Sequence, residues 1–449
     1  MSHWLAKGYW NAFTLWHALD EARLPYRPMD ELTAIQNRRV QRMVAHAYAT
    51  VPYYRDVMDA AGWRPEDFQT AADLTRLPVI TSAQVAAAPE RFLSRQYATR
   101  LGVQLQSSAT TGQPKQIRHD AASAFYSMAY GQRERIVVAH FTGRLYGFRE
   151  LIMYRPTGIQ TQLRRFYEAY SWVPRAMDFQ RGVFAPDGSF ESAVAHINAF
   201  QPDVLRGYGS HVGPLFRWAW ERNVALFRPK LVFYGGDSMP DADRVLIERQ
   251  VGAPVLSAYS AAEALRLAFQ CERAEGFHVD VDQVAIWARG DDGKPVGPGG
   301  RGEIIFSNLI NRATVLLNYR LGDVVTLGRG ACACGRTLPL IECVDGRCDD
   351  LVALPDGRML HSRTILRGLF EAPGLVQMQV IQEELRRFRL RAVCAAGTDW
   401  DNTRPRLIAT MVKMLGDDVV VNVEQVDAIP RSPGGKVRTV ISHCSGREA

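Results

Sequence analysis

The run Lys230-Leu231-Val232-Phe233-Tyr234 is followed by Gly235-Gly236-Asp237, then by the charged stretch Asp241 to Val251, then by Pro254-Val255-Leu256-Ser257-Ala258-Tyr259. The two outer pieces are short, apolar and bounded by glycine, proline or serine, which predicts buried strands. The middle piece predicts a helix. Strand–helix–strand alternation argues for a mainly parallel sheet with helices on its faces. In such sheets ligands bind at the loops beyond the carboxyl ends of the strands. Tyr234-Gly235-Gly236-Asp237 and Tyr259-Ser260-Ala261-Ala262-Glu263 are loops of that kind.

Working outward, the first hundred residues predict helices. Leu32, Ile35, Val40, Met43, Val44 and Ala47 recur on one face, and Asp30 stands where a helix cap would. From Leu101 the pattern alternates and runs into Ser107-Ser108-Ala109-Thr110-Thr111-Gly112-Gln113-Pro114-Lys115. Hydroxyls, backbone N–H groups and a lysine in one turn suit a loop that wraps a polyphosphate. The glycine spacing is not that of the Walker loop. Gly297-Pro298-Gly299-Gly300-Arg301-Gly302 superficially matches a dinucleotide loop, but Pro298 interrupts it and a strand follows, so it predicts a hairpin turn. Beyond Asp345-Gly346-Arg347 come strands over Leu375 to Ile381 and Phe388 to Val393, a helix over Arg404 to Leu415 and a strand over Val419 to Val426. These predict a small α+β domain.

The chain has 449 residues, 47% hydrophobic and 22% charged, with 54 basic and 47 acidic side chains for a net charge of +7. Its length implies two or three domains. The mild positive balance suits an anionic substrate such as a nucleotide. There is no basic run interleaved with aromatics, so nucleic acid is not an expected partner. No stretch is long and apolar enough to span a bilayer, and no secretory signal is present; a cytoplasmic protein with no membrane partner is expected. Seven cysteines in a reducing compartment suggest metal where they cluster.

Further polar loops follow in order: Asn318-Tyr319-Arg320-Leu321-Gly322-Asp323, Gly346-Arg347-Cys348-Asp349-Asp350 and Pro430-Arg431-Ser432-Pro433-Gly434-Gly435-Lys436. With Ala45 to Arg55 and Asn308-Leu309-Ile310-Asn311-Arg312-Ala313, the ordered set resembles the adenylate-forming enzymes, on the branch of phenylacetate–CoA ligases and capsular-biosynthesis-type relatives. The resemblance covers nearly the whole chain. It implies an α/β fold: an adenylation domain over 1–345, helical at 1–100 and built on mixed or parallel sheets, and a smaller mobile α+β lid over 346–449.

The resemblance also implies roles. Ser107, Ser108, Thr110, Thr111 and Lys115 would hold the outer phosphates of ATP. Asp237 and Tyr259 would flank the adenine, and Asp323 and Arg347 would hold the ribose. Glu263 would bind Mg²⁺, Asp349 would be the hinge, and Lys436 would approach the carboxylate and α-phosphate. Tyr208, Tyr234, Gly235 and Gly236 would line the slot for the acid, which an aryl acid fits. The implied reaction is ATP-dependent adenylation of a carboxylic acid, then transfer to the thiol of coenzyme A or of a carrier-protein phosphopantetheine. An amine acceptor, AMP transfer to a hydroxyl, or nucleotide binding without catalysis are the alternatives. A carrier protein and a second copy of the chain are the macromolecular partners considered.

Three departures from the family pattern stand out, one of them Leu354-Pro355-Asp356-Gly357-Arg358, which replaces the usual glycine-rich stretch after Asp350. Ala109 replaces the family's glycine, and Ala262 replaces the threonine of Tyr-Gly-x-Thr-Glu. Finally, Cys271, His278, Cys332 and Cys334 make a Cys₃His set suited to structural Zn²⁺. Some relatives on this branch carry zinc in a similar layout.

Overall fold

The computed structural model describes residues 3–106, 115–172, 180–186, 188–347, 351–355, 359–369, 372, 374–395, 397–430 and 439–444. The fold is mixed α/β, with a large sheet-containing N-terminal part and a smaller C-terminal part. Two compact units divide the chain. The first comprises Met1–Glu150, Pro156–Arg181 and Leu256–Val344; the second comprises Leu151–Arg155, Gly182–Val255 and Asp345–Ala449.

The first unit begins with helices His3–Glu21, Met29–Thr50 and Pro52–Ala61. In Met29–Thr50, Leu32, Val40, Met43, Val44 and Ala47 are buried, as their spacing predicts, whereas Ile35 is half-buried. Asp30 is not the cap: Pro28 holds that position and Asp30 lies in the first turn, where a carboxylate favours the helix dipole. The strands of this unit lie in the order Val284–Arg289, Arg301–Asn308, Tyr319–Leu327, Leu340–Arg347, Phe277–Val279, Ala268–Phe269 and Val255–Tyr259. Five of the neighbouring pairs are antiparallel. The expectation of a mainly parallel sheet is corrected here, because the short connections of residues 260–300 allow hairpins and leave no room for crossover helices. Gly297 to Gly302 belongs to one such hairpin, between Val284–Arg289 and Arg301–Asn308.

In the second unit, Val204–Gly207 and Leu231–Gly235 are parallel neighbours. The predicted helix over Asp241 to Val251 is α-helical at Asp241–Leu246 and finishes as a π turn at Ile247–Val251, stopped by left-handed Gly252. Helix Gly209–Glu221 packs close to its neighbours. A Cβ on Gly209 would sit 2.7 Å from the Met239 backbone, and one on Gly213 would sit 2.6 Å from Asp243. Pro214 inside this helix has no N–H to give the Ser210 carbonyl, and Gln377 Nε2 donates to that carbonyl at 3.5 Å instead. Arg217, bonded to buried Asp243, also donates to the Leu375 carbonyl at 2.8 Å. The C-terminal sheet runs Val420–Gln425, Arg387–Cys394, Leu375–Glu384, Val440–Ser442, with an antiparallel central pair and parallel outer strands. Helix Trp400–Leu415 buries Leu407, Met411 and Leu415 in the same core as Val380, Phe388 and Leu390.

A buried charge cluster ties the N-terminal helix of the first unit to its core. Arg133 donates to Glu21 at 2.5 Å, to Asp280 at 2.6 Å and to Asp282 at 2.9 Å, and Arg39 also reaches Asp282. Three carboxyls face two guanidiniums, so one negative charge is in excess. Burial places that burden on Glu21, whose carboxyl is pushed up to about 8 against the pull of Arg133. A carboxyl raised in the fold favours folding while protonated and costs stability as pH rises through its folded value. The melting temperature is therefore expected to fall as pH rises from about 6 to about 8 and to level off above that. Glu21→Gln should remove that fall; a variant that keeps the same pH slope would contradict this assignment.

Candidate functional site

Within the first unit, the antiparallel strands Gly102–Gln106 and Gln116–Asp120 flank the hydroxyl-rich segment 107–114 in sequence. Lys115, at the entry to the second strand, donates to Glu263 Oε1 at 2.7 Å and to the Tyr319 hydroxyl at 2.6 Å. The Tyr319 hydroxyl in turn lies 3.1 Å from Glu263 Oε1. The three groups close a triangle with little solvent access: the Glu263 and Lys115 side chains are 6% and 12% exposed. Tyr259, at the end of strand Val255–Tyr259, donates to Asp323 Oδ2 at 2.6 Å. Two clusters therefore form at neighbouring ends of the same loop, Tyr259 to Glu263. Each joins residues far apart in sequence.

The loop that presents Glu263 is held from several sides. Leu265 adopts a left-handed φ of 63°, rare for a branched side chain, and packs with Leu105 and Leu163. His119 Nε2 lies 2.7 Å from the Ala262 carbonyl. Burial lowers the His119 pKa, so the neutral ring donates from Nε2. Asn308 Nδ2 donates to the Glu263 carbonyl at 3.0 Å. Its Oδ1 accepts from the Ile310 and Asn311 backbone N–H groups. Fully buried Asn311 donates to the Arg118 and Thr314 carbonyls and accepts from the Asp120 and Ala313 N–H groups. Asp120 Oδ2 accepts from the Arg312 N–H at 2.8 Å. The segment Asn308 to Ala313 thus fastens the Lys115 hairpin to the Glu263 loop. The motif was visible in the sequence as part of the resemblance, but His119, Asn308, Asn311 and Tyr319 were not singled out there. Their signal is polarity at buried positions, which only the fold reveals.

In the second unit, Asp237 accepts from the Ser210 hydroxyl at 2.5 Å and from its N–H at 3.3 Å. Tyr208 is buried and meets Tyr154 edge-on, with ring centroids 4.8 Å apart. Tyr234 and Gly235 are half-buried at the end of their strand and Gly236 is exposed. Ser107, Ser108, Ala109, Thr110, Thr111, Asp349 and Lys436 lie outside the described residues, as does the side chain of Arg347.

The four metal-type residues meet in the first unit. The sulfurs of Cys271, Cys332 and Cys334 and a ring nitrogen of His278 all lie within 4.8 Å of one another. Cys271 and Cys332 sulfurs are 3.7 Å apart, and Cys334 Sγ is 3.4 Å from His278 Nε2. A tetrahedron with Zn–S and Zn–N bonds of ordinary length has edges of about 3.8 Å between sulfurs and about 3.6 Å between sulfur and nitrogen. The donor set fits that ion. Burial and nearby Arg336 hold the His278 ring down to about 4, leaving it neutral, as a ligand must be. Arg336 N–H also donates to Cys334 Sγ, which draws that thiol downward.

Replacing Asn311 by Ala would strand the Thr314 carbonyl and the Asp120 and Ala313 N–H groups, and would leave the Arg118 carbonyl with the Thr314 N–H alone. A loss of at least about 2–3 kcal/mol in unfolding free energy is expected. Chemical denaturation checks it, and a loss below about 1 kcal/mol would show that the loop is not held in this way.

Residues 353–443 match the CapK C-terminal domain family. The phenylacetate–coenzyme A ligase of Thermus thermophilus is 24% identical, covering 92% of this chain and 97% of its own. The phenylacetate–coenzyme A ligase of Escherichia coli is 25% identical over 79% of this chain and 77% of its own. Protein CapK of Staphylococcus aureus is 20% identical over 93% and 90%. Among solved structures, a 2-hydroxyisobutyryl-CoA ligase in the postadenylation state superposes with a TM-score of 0.71 at 19% identity, over 93% of this chain and 90% of that one. O-succinylbenzoate coenzyme A synthetase from Bacillus subtilis gives 0.51 at 16% identity over 75% and 67%. These likenesses carry the fold. Over most of its length the chain is a distant homologue, at 20–25% identity, of phenylacetate–CoA ligases and of protein CapK.

Proposed function

We propose that the chain activates a carboxylic acid with ATP as an acyl-adenylate and passes the acyl group to a thiol. The observation that carries this reading is the Lys115–Glu263–Tyr319 triangle, set beside the Tyr259–Asp323 pair on one loop. A cation and a carboxylate held at little solvent cost suit a phosphate chain and its counter-ion. On this reading Lys115 takes up phosphate charge together with Ser107, Ser108, Thr110 and Thr111. Glu263 then holds Mg²⁺ with the phosphate oxygens, in keeping with that ion's use of one or two carboxylates plus phosphates. Bound there, the ion neutralises charge on the departing pyrophosphate. Asp323 accepts from the ribose hydroxyls, with Arg347 as a second contact. Tyr259 and Asp237 are assigned to the base.

In the first half-reaction the substrate carboxylate attacks the α-phosphorus and pyrophosphate leaves. Lys436 is assigned to the charge that develops there. In the second, a thiol of coenzyme A or a carrier protein attacks the acyl carbon and AMP leaves. Asp349 is the assigned hinge of a lid beginning near residue 346. Tyr208, Tyr234, Gly235 and Gly236 are assigned to the acid, and the edge-on Tyr154–Tyr208 pair favours a flat aryl group. We also propose that Cys271, His278, Cys332 and Cys334 hold a zinc ion. All four positions are filled by protein, which assigns it to structure.

Acid-dependent exchange of labelled pyrophosphate into ATP tests the reading. The wild type should show it with at least one acid of a broad aryl and alkyl panel, and Lys436→Ala should lose about 10²–10³-fold. Exchange absent from the wild type across the panel would overturn the proposal. Asp323→Ala should raise the KM for ATP by about tenfold or more through loss of a charged hydrogen bond. Metal analysis should find roughly one zinc per chain, lost in Cys332→Ser together with a lower melting temperature.

A further inference from the structure

Tyr319 is held from several sides. It is fully buried at the start of strand Tyr319–Leu327, opposite Phe306 in the antiparallel register, and the two rings meet edge-on with centroids 5.6 Å apart. It is also bridged to Ile80: the Ile80 N–H donates to the Asn318 carbonyl, and the Arg320 N–H donates to the Ile80 carbonyl. Asn318, just before the strand, adopts a left-handed φ of 57°. Its side chain accepts from the Trp287 indole at 2.9 Å and donates to the Leu77 carbonyl. A ring locked by packing and by the backbone on both sides places its hydroxyl with little freedom.

The available protons set the direction of each bond in the triangle. An ammonium only donates, so the Tyr319 oxygen accepts from Lys115 at 2.6 Å, and the single phenol proton goes to Glu263 Oε1 at 3.1 Å. Lys115 donates to that same Oε1 at 2.7 Å. One carboxylate oxygen therefore carries two donors, one on a flexible stem and one on a fixed ring. Asn308 fixes the Glu263 main chain through its carbonyl, and the two donors direct the carboxylate. The donors part company when a nucleotide binds. An ammonium that turns to the phosphates loosens its hold on Oε1. The phenol carries no charge for phosphate and has no freedom to follow. Charge stays balanced through the exchange: the ammonium compensates the buried carboxylate beforehand, and the divalent ion that accompanies ATP does so afterwards.

We propose that Tyr319 is a positioning residue for the metal. Its hydroxyl keeps Glu263 aimed while Lys115 changes partner, so the ion that arrives with ATP meets a carboxylate already in place. The inference rests on the ligase reading, in which Glu263 takes Mg²⁺ together with phosphate oxygens. Mg²⁺ uses only one or two carboxylates in such sites, so the aim of a single one weighs heavily. Removing a hydrogen bond that orients a metal ligand typically costs about 10–100-fold in metal affinity.

Tyr319→Phe tests it, because the ring keeps its packing on Phe306 and only the hydroxyl is lost. Mn²⁺ is the probe, followed by electron paramagnetic resonance with full-length protein and saturating ATP. In the variant the Mn²⁺ dissociation constant of the ternary complex should rise about tenfold or more. AMP, which lacks the outer phosphates, should bind wild type and variant equally in calorimetry. Acid-dependent pyrophosphate exchange should need about tenfold more free Mg²⁺ and approach the wild-type kcat once the ion saturates. An unchanged Mn²⁺ constant overturns the proposal. So does a loss of AMP affinity as large as the loss of Mn²⁺ affinity, which would make the hydroxyl a general support of the site. If the wild type exchanges pyrophosphate and the variant's metal requirement is unmoved, the ligase reading stands and this inference alone fails. A wild type that binds no nucleotide contradicts both.

Discussion

The described part of the candidate nucleotide site depends on one buried amide. Asn311 fills its hydrogen-bonding capacity with four backbone partners, two of them on the strand that follows Lys115. Asn308, three residues earlier, does the same for the carbonyl of Glu263. Lysine and glutamate attract at many separations, but a buried ion pair contributes only where geometry is fixed. The Asn308 to Ala313 segment fixes it by tying two loops to one scaffold. The cost of leaving such groups unpaired keeps the arrangement in one register.

This view changes the meaning of Ala262. A threonine there would offer a hydroxyl toward the ligand. What the loop needs from the position, however, is its carbonyl, and His119 binds that whatever the side chain. The backbone course that presents Glu263 is therefore retained despite the substitution. The zinc-type cluster is a separate device within the same unit. Arg336 joins its loop to Glu272 and lies over Tyr26, which holds the segment around Cys332 and Cys334; the zinc proposed for this cluster would hold it further.

Much of this was legible in residues alone. The strands near 231 and 255, the hairpin at 297–302 and the helix before Leu415 follow from apolar runs and turn chemistry. The Cys₃His set was legible because few residue types bind zinc and they lay at plausible spacings. Strand direction was not, because period and composition do not encode it; connection length does, and residues 260–300 connect too briefly for parallel neighbours. Tyr319 was hidden inside its own motif, since an aromatic in a strand reads as core. His119 and Asn311 were hidden because a polar residue reads as surface until its buried partners are known. The exposure of Trp4, Leu5, Tyr9, Leu15, Trp16 and Leu19 on the first helix was hidden for the converse reason: with apolar residues on both faces, its sequence does not say which face packs, as Trp10 and Phe13 do.

The most direct test of the central claim is a crystal structure with Mg²⁺ and α,β-methylene-ATP, which binds but cannot be split at the α-phosphorus. The account predicts outer phosphates within hydrogen-bond reach of Lys115, the ion on Glu263, and both ribose hydroxyls on Asp323. A nucleotide seated elsewhere, with Lys115 and Glu263 still bound only to each other and to Tyr319, would contradict it.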